Sequence, residues 1–345
     1  MESSVFARIR ENLLATRHNL SGWLRAAPAR NRQTRLGPAS ERAMQAHLRV
    51  LDTAIAKTED QTLGLCQVCH GYIDPEHLEM DYTACVCLDH FSGEERRQLE
   101  ADLELSQKVQ KALLPQHLPH IPGLELAVFS RPAQIVGGDY FDFFHFADGS
   151  HGLAIADVAG HGMSASLLMA SVQTALLTLA PITHSPAEVL NHLNRFFLHN
   201  VHLTTFVTLF LARFDPTQRT LTYSNAGHNP PLLYRPQTNG GEPVARLAPT
   251  GAAIGLIEEF EPGGETVTLA QGDLLLLYTD GVTEAINPAE EQFGVERLAA
   301  LIQQEACSPA RMVVQAVRQA LQEFIGSQPL ADDTTIVVAK LNGDA

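Results

Sequence analysis

Residues 151–162 read HGLAIADVAGHG, an apolar run that closes on an acid, Asp157, and then on a glycine–histidine–glycine bend. Such a run predicts a buried strand, and the glycines mark where it stops. The same texture recurs outward along the chain. VGGDYFD carries Asp139 and Asp142, LLLLYTDGVTE carries Asp280 and Glu284, and ADDTTIVV carries Asp332 and Asp333. Most of these acids sit where a strand should enter or leave a core. Taken singly, Asp-Gly is an ordinary hairpin turn, and Asp148-Gly149 reads as one. Four such ends together point elsewhere, because clustered carboxylates repel one another and lose hydration unless a cation compensates. An all-oxygen site of that kind selects Mg(II) or Mn(II) over zinc. Gly137-Gly138 and Gly160 to Gly162 let backbone, including a carbonyl ligand, approach a small site. Two ions held there would activate a bridging water for in-line attack on phosphorus.

Around these segments, ELAVF, TFVTLFLARF, RTLTYSNAG, PPLLYR and TTIVVAKL supply further strands. Met163–Leu179, Pro186–Leu198 and Val295–Phe324 read as helices. Strands interrupted by a helical pair and a late helix predict layered α+β architecture rather than βαβ alternation. Other hydrolytic signatures are missing: Arg311 follows Cys307 too closely for Cys-x5-Arg, and HExxH, Gly-x-Ser-x-Gly and the P-loop pattern do not occur.

The chain has 345 residues, 24 Lys and Arg against 39 Asp and Glu, and a formal charge of −15. Residues 1–60 carry +4, so residues 61–345 carry −19. An acidic body is a poor nucleic-acid or anionic-membrane binder, since phosphate affinity comes largely from Lys and Arg. The charge-free stretch from Val158 to Ala187 contains Ser164, Ser166, Ser171, Gln173 and Pro181, which favours a buried helix over a membrane span. MESSVFARIR lacks the apolar core of a secretory leader, so the expected location is cytoplasmic.

Four of the five cysteines crowd into residues 66–87 as Cys66-x2-Cys69-x17-Cys87-x2-His90. Two close pairs about 20 residues apart suit one tetrahedral zinc ion. Cys85 competes with Cys87, which keeps the x2 spacing to His90, and His70 competes for the fourth position. The stretch TLGLCQVCHGYIDPEHLEMDYTACVCLDH resembles the TraR/DksA family of zinc fingers, with His90 where that family generally has a fourth Cys. Members acting on RNA polymerase present acids at a hairpin tip, whereas RNRQTR here is basic. The expected organisation is a helical zinc module over 1–92, a linker helix and Pro-rich connector over 93–122, and a catalytic domain over 123–342.

Residues from about 105 to 341 resemble the SpoIIE/RsbU branch of the metal-dependent type 2C protein phosphatases. The resemblance runs in order through KVQKALLP, RPAQIVGGDYFDFF, IADVAGHGMSASLLMA, FVTLFLARFD, YSNAGHNPPLLY, PTGAAIGL, GDLLLLYTDGVTEA, FGVERL and DDTTIVV. It implies a β-sandwich flanked by helices, two Mn(II) or Mg(II) ions, and hydrolysis of phosphoserine or phosphothreonine on a signalling protein, often a STAS-like one. It also implies a separate opposing kinase, and a linker helix that can form a homodimer. Asp139, Asp157, Asp280 and Asp332 match the family's metal-binding acids, and Val158 stands where many members place a glycine whose carbonyl binds metal. Asp142, Asp333 and His161 fall beside the ligands, His228 is a motif residue of structural kind, and Arg131 is a candidate phosphate contact. Two rival readings are a zinc-finger transcription regulator and a phosphatase-fold binding protein without turnover.

Overall fold

The computed structural model describes residues 9–10, 13–14, 17, 48–74, 78, 85–90, 92–160, 162–200, 206–236, 243–257, 260–326, 328 and 330–342. His161 and the RNRQTR loop lie outside the described residues. The chain divides into two compact units, residues 1–103 and 104–345.

In the first unit, residues 48–59 are helical, and Leu51, Ala54, Leu63, Cys66, Ile73 and Leu78 form a small buried core with Ile9 and Leu13. Gly64 adopts φ +72°, and a side chain there would collide with Leu78. Helix α1 (Gly93–Leu113) begins in this unit. It opens on a reciprocal cap: the Ser92 amide donates to Glu95 Oε2 at 2.8 Å, and the Glu95 amide donates to Ser92 Oγ at 3.2 Å. Pro115 follows its end, as the sequence predicts.

The second unit holds two five-stranded antiparallel sheets. One has the order β1-β10-β9-β6-β7 and the other β2-β3-β4-β5-β8. Their strands are β1 (Leu124–Arg131), β2 (Tyr140–His145), β3 (His151–Val158), β4 (Val207–Asp215), β5 (Thr220–Ala226), β6 (Leu232–Tyr234), β7 (Val244–Arg246), β8 (Glu265–Thr268), β9 (Leu274–Tyr278) and β10 (Thr334–Leu341). Phe141, Ile155, Phe210, Leu275, Leu277 and Val337 fill the space between the sheets. Helices α2 (Gly162–Leu179) and α3 (Pro186–Asn200) cover the second sheet through Met169, Val172, Leu176, Leu190 and Leu193. Helices α5 (Gly294–Glu305) and α6 (Ala310–Ile325) cover the first through Leu298, Ile302, Val313 and Val317. A four-residue helix, α4 (Asp280–Thr283), follows β9 directly. The result is the layered sandwich flanked by helices that the patterning predicts.

Some local readings differ, and the short edge strands β7 and β8 match none of the predicted runs. The stretch 295–324 is two helices, because Ser308-Pro309 interrupts it and Pro309 becomes the cap of α6. YFDFFH forms β2, an aromatic strand without clean alternation, paired to β3 by a hairpin. At that hairpin Gly149 adopts φ +81° and Ser150 donates to Asp148 at 3.0 Å. The charge-free segment is α2, which has the length and composition of a membrane span but buries one face on the core.

Candidate active site

Each acid is delivered by a strand end. Asp157 is the penultimate residue of β3, Asp139 immediately precedes β2, Asp280 follows β9 and Thr279, and Asp332 stands two residues before β10. Antiparallel packing brings these ends together at one edge of the sandwich. Asp139 is buried and Asp157 and Asp280 half-buried, while Asp332 is exposed.

The electrostatics record that convergence. Burial, then the charges of Asp280, Asp332, Asp333 and Glu284, push the Asp157 carboxyl up to about 7. Burial, then Asp332 and Glu284, push Asp280 up to about 6. Asp139 is raised well above the usual carboxylate range by burial and by Asp157. Among the described residues no Lys, Arg or His forms an ion pair with any of these acids. Oxygen-only donors crowded without a cationic partner fit hard divalent ions.

Asp139 is held by hydroxyls. Thr279 Oγ1 donates to Asp139 Oδ2 at 2.8 Å and accepts the Thr335 amide at 3.0 Å. Asp333 turns away from solvent to bind backbone, accepting the Ala133 amide at 2.8 Å and the Gly138 amide at 2.6 Å. Burial raises its carboxyl, and those amide donors oppose the rise. Asp142 accepts the Tyr140 hydroxyl at 2.7 Å and the Phe143 amide at 2.7 Å. Asp333 thus fixes the loop from Ala133 to Gly138, while Asp142 is bonded within β2.

The glycines are required by proximity. A side chain on Gly281 would overlap the Asp333 carbonyl, and one on Gly137 would overlap the Asp333 carboxylate. At Gly138 it would lie 2.9 Å from the Val158 carbonyl oxygen, so that carbonyl stands against the loop carrying Asp139. His228 is buried, its amide donates to Asn225 Oδ1 at 2.8 Å, and its Nδ1 lies 2.8 Å from Thr208 Oγ1. Burial holds its imidazole down at about 4, which leaves it neutral and architectural. Arg131 ends β1 opposite Thr334 and is exposed. Nothing in the sequence marks Thr335 as a site residue, and the sign of Thr279 is a hydroxyl placed between an apolar run and Asp280.

In the first unit the ligand atoms of Cys66, Cys69, Cys87 and His90 all lie within 4.8 Å of one another. Cys85 is exposed, outside that group, and so is His70. Burial pushes the Cys66 thiol up, but amides of Cys69, Cys87 and Val68 outweigh it and leave it at about 6. Three sulfurs and an imidazole in this arrangement fit one tetrahedral zinc ion.

The sheets and converging acids define the second unit as a PP2C-type phosphatase domain. Its fold is similar to that of the SiaA PP2C domain of Pseudomonas aeruginosa, with a TM-score of 0.63 and 24% identity over 73% of this chain and 100% of that one. The family described as Stage II sporulation protein E (SpoIIE) matches residues 147–342, and the chain belongs to it. The phosphoserine phosphatase RsbU of Bacillus subtilis is 31% identical over 247 residues, 71% of each chain. RsbP, a phosphoserine phosphatase of the same organism, is 27% identical over 187 residues, 53% of this chain and 45% of its own length. The chain is a protein serine/threonine phosphatase.

Proposed function

We propose that this phosphatase uses two Mn(II) or Mg(II) ions, held by Asp139, Asp157, Asp280, Asp332 and the Val158 carbonyl, to dephosphorylate a STAS-like signalling protein in the cytoplasm. The observation that carries the metal reading is the convergence of four aspartates without a cationic partner. The ions, when bound, supply an activated water and neutralise charge on the phosphoryl oxygens. The chain's own residues do the rest. Thr279 fixes the orientation of Asp139, and Asp333 clamps the glycine loop before it. Arg131, exposed at the rim, is a candidate contact for the substrate phosphate. The O–P bond of the phosphoester breaks, one water is consumed, and the serine or threonine hydroxyl and inorganic phosphate leave.

The acidic charge of residues 61–345 supports a protein substrate over a nucleic-acid one. The Cys66, Cys69, Cys87 and His90 group supports a zinc-stapled module over 1–92, too small to build a large core alone. Leu99, Leu105, Val109 and Leu113 are exposed along α1 and support a homodimer through that helix. An opposing kinase acts from a separate chain. The test is Mn(II)-dependent release of phosphate from a phosphorylated STAS-domain protein by wild type and by Asp280→Asn. Loss of turnover in the variant supports the metal mechanism, and equal rates overturn it.

A further inference from the structure

Helix α1 has no fully buried residue, yet its last turns reach the loop that carries Asp139. Gln110 Nε2 donates to the Gly137 carbonyl at 2.6 Å, and the Gly137 amide donates back to Gln110 Oε1 at 3.1 Å. This is the two-bond pattern of paired peptide groups, made by a side-chain carboxamide that offers a donor and an acceptor in one plane, on a stem long enough to reach the loop from the helix. The opposite side of the same loop is held by Asp333, whose carboxylate accepts the Gly138 amide at 2.6 Å. Gly138 in turn stands against the Val158 carbonyl. The end of α1 is also gripped from α2, where Gln173 donates to the Leu113 carbonyl and supports the Asp142 carboxylate. The loop from Gly137 to Asp139 is therefore clamped between a carboxylate and an amide that lie 223 positions apart in sequence.

We propose that Gln110 is a positioning residue for metal binding: its amide pair with Gly137 holds Asp139 and the Val158 carbonyl in the arrangement one ion needs. Gln110 touches neither substrate nor ion. It acts by removing freedom from a glycine-rich loop that would otherwise have to be ordered by the ion itself. A polar residue on the half-buried stripe of Leu103, Ser106 and Gln110 has no packing reason to be glutamine, whereas the peptide-like pair requires it. The inference rests on the two-metal reading and adds a residue outside the acid set.

The test uses the full chain and isothermal titration with Mn(II), on wild type, Gln110→Leu and Gln110→Glu. Leucine keeps the helix and the volume but loses both bonds; glutamate keeps the acceptor for the Gly137 amide and loses the donor to its carbonyl. Mn(II) affinity is expected to fall about tenfold in both variants, the order of one lost bonded pair. Turnover at saturating Mn(II) should stay near wild type, and the melting temperature in metal-free buffer should fall by about 2–4 °C, as the loss of one half-exposed bonded pair requires. Mn(II) affinity within twofold of wild type in Gln110→Leu overturns the positioning role. Failure of wild type itself to bind Mn(II) instead overturns the two-metal reading, so the two failures are distinguishable.

Discussion

Replacing Asp280 by asparagine should abolish turnover and yet stabilise the metal-free protein at neutral pH. Burial, then Asp332 and Glu284, push this carboxyl up to about 6 from an ordinary value of 3.8. A group whose folded pKa is raised contributes stability that is complete below its unfolded pKa and lost as pH rises through the folded value. At pH 7.5 the ionised form therefore costs about 3 kcal/mol at most, at about 1.4 kcal/mol per pKa unit. Asp280 is only half-buried, and solvent screening reduces that cost to about 1–2 kcal/mol. For a unit of this size the gain on Asp280→Asn is about 3–6 °C in melting temperature. Differential scanning fluorimetry after passage over chelating resin, at pH 7.5 and pH 4.5, measures it. The variant should melt higher at pH 7.5, the gap should shrink at pH 4.5, and Mn(II) should raise wild type more than the variant. A variant less stable than wild type at pH 7.5 without metal, or equal Mn(II) shifts, refutes the electrostatic reasoning.

Other perturbations have defined outcomes. Gly281→Ala drives a methyl group into the Asp333 carbonyl and should cost about 1–3 kcal/mol in urea unfolding, with a parallel loss of phosphatase activity. Thr279→Val preserves shape but leaves the buried Asp139 oxygen and the Thr335 amide without their hydroxyl partner; about 1–3 kcal/mol of stability should be lost, together with most turnover. Mass spectrometric metal analysis should find one zinc per chain, retained in Cys85→Ser and lost in Cys66→Ala, because Cys66 belongs to the four-ligand group and Cys85 does not.

The site was legible wherever chemistry coincided with a boundary. Asp157 and Asp280 end apolar runs, so the pattern that defines a strand also marks an acid at its mouth, and antiparallel pairing then brings distant mouths together. The Cys66, Cys69, Cys87 and His90 group was legible because spacing within each close pair is local. The break at Ser308-Pro309 is masked in the sequence because the apolar stripes of α5 and α6 continue in register across it. β2 does not show as a strand pattern because Phe141 and Phe144 are both apolar, one facing the other sheet and one facing α2. Thr279 and Gln110 could not be read at all, since each owes its role to a backbone group remote in sequence.

The most direct measurement is anomalous diffraction from crystals of the full chain grown with Mn(II). Two peaks enclosed by Asp139, Asp157, Asp280 and Asp332, absent in crystals of Asp280→Asn, are the predicted result. A map with no manganese among those carboxylates at millimolar metal would contradict the claim that bound dications make their crowding tolerable.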